Sequence, residues 1–108
     1  MNTRIEKNIF SASDFPGGRL AVNGLTDRSL DDPGGINQLL VKYPNEVAID
    51  VGWMPEFDRE GEYHVDVVRV DGEPGWENII KGRCKTHEGL RELVRLFAAF
   101  APTIPPKF

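Results

Sequence analysis

Three stretches between Glu46 and Cys84 alternate in side-chain character with a period of two, and this restricts the fold more than any other feature. Successive strand residues point to opposite sheet faces, so Val47, Ile49, Val51 and Trp53 share one face while Ala48, Asp50 and Gly52 share the other. Met54-Pro55 ends the run, and residues 56–61 read as a polar connection. Tyr63, Val65 and Val67 then alternate with His64 and Asp66 until Val67-Val68 breaks the phase, which suggests a bulge or burial on both faces. After Asp71-Gly72 and Pro74-Gly75, a third strand places Trp76, Asn78, Ile80, Gly82 and Cys84 on one face. Both of its faces are mixed, as an edge strand's often are, and Lys81 and Arg83 would discourage edge-to-edge pairing. Short connections make these segments, 46–54, 62–70 and 76–84, an antiparallel meander.

A single sheet layer must cover its apolar face. The period changes to helical after Thr86, a suitable N-cap, with Leu90, Leu93, Val94, Phe97 and Ala101 in one stripe and Leu96 and Phe100 widening it. A helix over 87–101, packed on one face of the sheet, is the expected cover. Pro102 ends it, and 102–108 reads as an extended tail. Upstream, Arg19–Val22 can form a short strand before an Asn23-Gly24 turn. Ile36, Leu39, Leu40 and Tyr43 recur at spacings of three and four, which predicts a short helix near 35–43 opened by Asp32-Pro33 and stopped by Pro44. Ile9 and Phe10 either begin a strand or dock on the domain. The expectation is one α+β domain over 1–108: a small antiparallel sheet with N-terminal strands added to the meander, and a C-terminal helix.

Charge is distributed unevenly. Between Glu46 and Glu77 the chain has ten carboxylates and only two arginines, against seventeen acidic and thirteen basic residues overall. An acidic middle favours a cationic partner and opposes nucleic acid and anionic lipid. No apolar run reaches the ~18 residues of a membrane span, and the N-terminal residues lack a secretory pattern. Cys84 is the only cysteine, which excludes an internal disulfide and multi-cysteine zinc sites. A cytoplasmic protein is the plain expectation.

Catalytic motifs are scarce. His64 and Asp66 share a strand face, and Asp50 falls across from them if the first two strands pair. Such a grouping can bind a divalent metal or hold a general base, although a solvated sheet face is polar by default. Cys84 lies between Arg83 and Lys85 near a helix start, features that can depress a thiol pKa, and His87 is three residues on. A lone cysteine is more often a small buried hydrophobe. No cofactor fingerprint, metal-ligand spacing or nucleophile elbow is present. Asp27, Asp31 and Asp32 lack the spacing of a calcium loop.

The more specific cluster is aromatic and acidic. Glu56, Phe57, Asp58 and Glu60 fill the first central connection, and Glu73 and Trp76 adjoin the second. Tryptophan and phenylalanine ringed by carboxylates suit an interface that takes lysine and arginine from a partner. Strand phase equally allows Trp53 to continue the buried face and Trp76 to close the sheet over the helix. Phe57 is harder to explain by packing, because its neighbours are Glu56, Asp58, Arg59 and Glu60.

From Tyr63 to Leu96 the chain carries a V-D-V-V-R-V strand, a D-G turn, the Trp76-Glu77-Asn78 strand start, a basic strand end and then Glu88-Gly89-Leu90-Arg91-Glu92-Leu93-Val94 opening a helix. This third of the sequence resembles the ending of many small immunity proteins of bacterial polymorphic toxin systems. The resemblance implies a cytosolic, non-catalytic protein that neutralises a secreted toxin by tight binding. The residues by themselves leave three readings: a binder for a basic protein, a small enzyme using His64, Asp66 and Asp50 or Cys84 and His87, and an oligomeric domain pairing as a homodimer through an edge strand.

Overall fold

The computed structural model describes residues 9–25, 38–55, 58–70 and 76–105, with the side chains of Val70 and Trp76 excepted. Five strands run antiparallel in sequence order: β1 (Arg19–Asn23), β2 (Leu39–Lys42), β3 (Val47–Met54), β4 (Glu62–Val70) and β5 (Trp76–Cys84). One helix, α1 (His87–Phe100), follows, and a short 3-10 turn at Ala101–Thr103 succeeds it. The α+β architecture with a C-terminal helix on a small sheet is the expected one. Among the described residues, no helix is long and apolar enough to cross a membrane.

The period-two residues of β3 and β4 form the floor of the core. Val47, Ile49, Val51 and Trp53 pair with Arg69, Val67, Val65 and Tyr63, and all of these except Arg69 are buried. Thr86 caps α1 by accepting a hydrogen bond from Gly89 N at 3.0 Å. The helix then buries Leu90, Val94, Phe97 and Ala98 against this floor, while Leu93 is partly buried. Each fully enclosed side chain of this kind contributes roughly 1.5–3 kcal/mol. Close approach of α1 to β5 depends on Gly82, where a Cβ would lie 2.5 Å from Leu93 Cδ2. Phe10 and Phe15 dock on the same core, their ring centroids 5.8 Å apart.

Four expectations are corrected. Residues 39–42, assigned to a short helix near 35–43, form β2, and 35–37 lie outside the described residues. Leu39 and Val41 satisfy a spacing of two as well as the helical spacings. The hydrogen-bonding edges of β1 and β3 on either side decide in favour of the strand. Asn23-Gly24 is not a tight hairpin turn, since Asn23 pairs with Leu39 and Gly24 N donates to Gln38 O. In β5, a register shift opposite Val67/Val68 leaves Ile79 unpaired, so Glu77 rather than Asn78 shares a face with Ile80, Gly82 and Cys84. The phase break at Val67-Val68 therefore did mark a bulge, with the extra residue on the partner strand.

The fourth correction concerns residues 102–105, which do not leave α1 as an extended tail, while 106–108 lie outside the described residues. The segment turns through Ala101–Thr103, buries Ile104 and gives its Pro105 carbonyl to Arg69 Nη2. Asn45, in the β2–β3 turn, secures it. Its Nδ2 donates to Ala101 O at 2.9 Å and to Ile104 O at 2.8 Å.

Candidate functional site

At the β3–β4 end, the chain builds a fixed acidic tip. Trp53 is buried by its strand phase, its ring edge-on to Tyr63 at 4.9 Å. Its indole Nε1 reaches past the end of β3 to Asp58 O at 2.6 Å. Asp58 organises the rest of the connection: its N–H donates to Pro55 O, its carbonyl accepts from Gly61 N at 2.9 Å, and its Oδ1 accepts from Glu60 N at 2.9 Å. Gly61 is required for closure, because a Cβ there would lie 2.6 Å from the Met54 carbonyl oxygen. The Met54–Pro55 peptide is cis.

The tip presents Asp58, Arg59 and Glu60 to solvent, with Met54 40 % exposed beside them. Glu62, opposite Met54, begins a series that continues through His64 and Asp66 on the face of β4 turned away from α1. Glu62 belongs by sequence to the same aromatic and acidic cluster as Asp58 and Glu60, and its period-two phase with His64 and Asp66 sets it on this face. Asp58 and Glu60 are brought together as expected. Glu56, Phe57, Glu73 and the Trp76 side chain lie outside the description. The backbone of Trp76 pairs with Val70, at the opposite end of β4 from Glu62. At about 3.3 Å per residue that is roughly 25 Å away, so Trp76 and the 58–62 tip do not form one patch.

Farther along the same face, Asp50 lies directly opposite Asp66, not opposite His64. Arg83 Nη1 contacts Asp66 Oδ1 at 3.4 Å and also donates to Gly82 O at 2.7 Å. Asp50 Oδ1 is buried and has no hydrogen-bond partner among the described residues. Burial, and secondarily the charge of Asp66, push the Asp50 carboxyl upward. His64 is opposite Gly52 and Arg83 rather than beside Asp50. Its pKa is lowered by burial first and then by the nearby Arg83 cation. Among the described residues, no three of His, Cys, Asp and Glu converge in a way that could hold a metal ion.

The cysteine environment opposes the depressed thiol pKa suggested by its sequence neighbours. Cys84 sits with Gly89, Glu92, Leu93 and Leu96 along an open groove of about 300 Å³ between β5 and α1. Burial pushes its thiol up, and the Glu62 carboxylate pushes it further the same way. Arg83, the adjacent residue, directs its guanidinium to the other face toward Asp66. No protein-family model matches the sequence, and comparisons with characterised proteins and with solved structures likewise return no match.

Proposed function

We propose that this domain is a non-catalytic protein-binding module, of the immunity or antitoxin kind, that takes the basic surface of a partner such as a secreted toxin. The observation that carries the reading is the hydrogen-bonded 58–61 turn at the β3–β4 end, where exposed Asp58 and Glu60 are held through Trp53 and Glu62 stands opposite exposed Met54. A turn such as 58–61 that is hydrogen-bonded before binding loses less conformational entropy on association, so its charges convert more fully into affinity. The acidic middle of the sequence adds long-range attraction, and the partial resemblance of 63–96 to immunity proteins points the same way. Phe57, in the same connection, is the expected apolar anchor. A cytoplasmic location follows from this reading.

The test is co-purification with the product of the adjacent upstream gene, followed by Glu60→Lys and Glu62→Lys in the complex. Both reversals should slow association, with the loss larger at low ionic strength than at high. Phe57→Ala should chiefly speed dissociation, by at least ~2 kcal/mol. Asp58 is a poorer probe, because its carboxylate also holds the loop through Glu60 N. A complex indifferent to all three substitutions removes the tip from the interface. Turnover of a small substrate by the purified chain, lost on changing His64 or Cys84, removes the binding function itself.

A further inference from the structure

Two acidic side chains are placed opposite each other in the middle of the sheet, and the surrounding residues leave one of them without compensation. Asp50 and Asp66 are register partners on β3 and β4, which in an antiparallel pair sets their Cβ atoms about 4.5–5.5 Å apart. Along β3, the neighbours of Asp50 on this face are Ala48 and Gly52, which offer no donor side chain. Across on β2, the opposite residue is Leu40, with exposed Lys42 diagonal to Asp50. On β4, His64 is diagonal. On β5, Lys81 stands opposite Asp66 and is exposed, while Arg83 divides its Nη1 between Asp66 Oδ1 and Gly82 O. On β1, Val22 continues the row beyond Leu40, and α1 packs on the other face. Among the described residues, the cation that reaches the pair therefore serves Asp66, and Asp50 Oδ1 stays buried without a donor.

We propose that Asp50 and Asp66 form a proton-sharing pair, which makes the β3–β4 seam a pH-sensitive element, firmest in acid and loosened as Asp50 ionises. A proton on Asp50 removes the like-charge repulsion and supplies an O–H donor that the Asp66 carboxylate can accept. Burial and the facing charge both raise the Asp50 pKa in the folded chain above its unfolded value. The stabilisation is then fully present below the unfolded pKa and is lost as pH rises through the folded pKa. This device is a property of the free chain and does not rest on the proposed partner.

The experiment is a carboxyl-carbon NMR titration of the wild type and of Asp66→Asn, with thermal unfolding of Asp50→Asn at acidic and neutral pH. The wild-type Asp50 signal should titrate above the ordinary aspartate range. Asp66→Asn should move the Asp50 midpoint down without returning it fully to the ordinary value, because burial remains. Asp50→Asn should unfold at a higher temperature than wild type at neutral pH, and the gap should close in acid. An Asp50 midpoint at or below the ordinary range overturns the proposal. So does an Asp50 midpoint unmoved by Asp66→Asn or, should that variant not fold, an Asp50→Asn chain whose advantage over wild type does not change with pH.

Discussion

The indole Nε1 of Trp53 donates a 2.6 Å hydrogen bond to the main-chain carbonyl of Asp58, joining a buried strand residue to an exposed acidic loop. This single bond connects core packing to the proposed binding surface. In Trp53→Phe the aromatic contact with Tyr63 can persist, but the donor and part of the buried volume are lost. The variant should lose about 1–3 kcal/mol in denaturant unfolding, and the Gly61 amide should exchange faster. Unchanged exchange at Gly61 would mean that the loop holds itself without the indole.

Asn45 does similar work at the other end of β3. Its side-chain amide satisfies the carbonyls of Ala101 and Ile104, and its Oδ1 accepts from Val47 N at 3.3 Å. Helix ends leave carbonyls without intrahelical partners, and here a turn residue 56 positions before Ala101 supplies the donor. Asn45→Ala should cost about 1–3 kcal/mol, and limited proteolysis should cut earlier beyond Phe100. Stability equal to wild type would show that solvent replaces both bonds at no cost.

Glu46 adopts φ of 68°, the left-handed region that glycine occupies without a Cβ penalty. It closes the β2–β3 turn after Pro44-Asn45, with its N–H donating to Tyr43 O. The carboxylate is exposed. Glu46→Gly should therefore stabilise the fold by roughly 0.5–1 kcal/mol, the conformational relief exceeding the added entropy of the unfolded chain. A lower unfolding temperature in the variant would assign the Glu46 side chain a structural role that its exposure does not suggest.

The parts of the fold that were legible from the residues are those where one period dominates. Val47 to Trp53, Tyr63 to Val67 and Leu90 to Phe97 each follow one repeat, and each buries the face that repeat selects. Residues 39–43 fit both periods, and the competition was settled by pairing with β1, upstream, and with β3 across a short turn. The bulge at Ile79 was announced by Val67-Val68 on the partner strand, but no residue type says which of two paired strands holds the extra residue. At the candidate site, carboxylates were visible from composition, and strand phase grouped His64, Asp66 and Asp50, but the register that sets Asp50 opposite Asp66 was not visible. The Trp53–Asp58 bond, and the closeness that makes Gly61 necessary, arise only once the loop has closed.

Glu62 and Cys84 provide a test that joins the acidic face to the groove beside α1. Cys84 is the register partner of Tyr63, the residue after Glu62, and the Glu62 carboxylate adds to burial in disfavouring the thiolate. Removing that charge leaves only burial to hold the thiol pKa up. Glu62→Gln should therefore lower the pKa of Cys84 toward its ordinary value and shift the pH–rate profile of iodoacetamide alkylation to lower pH. At a fixed pH below the midpoint, the variant should react faster because more thiolate is present. The difference should shrink at high salt, where the partly exposed carboxylate is screened. A profile unchanged by Glu62→Gln would make burial the sole cause of the raised thiol pKa, and a wild-type midpoint below the ordinary cysteine value would reverse the assignment of Cys84 as an unactivated thiol.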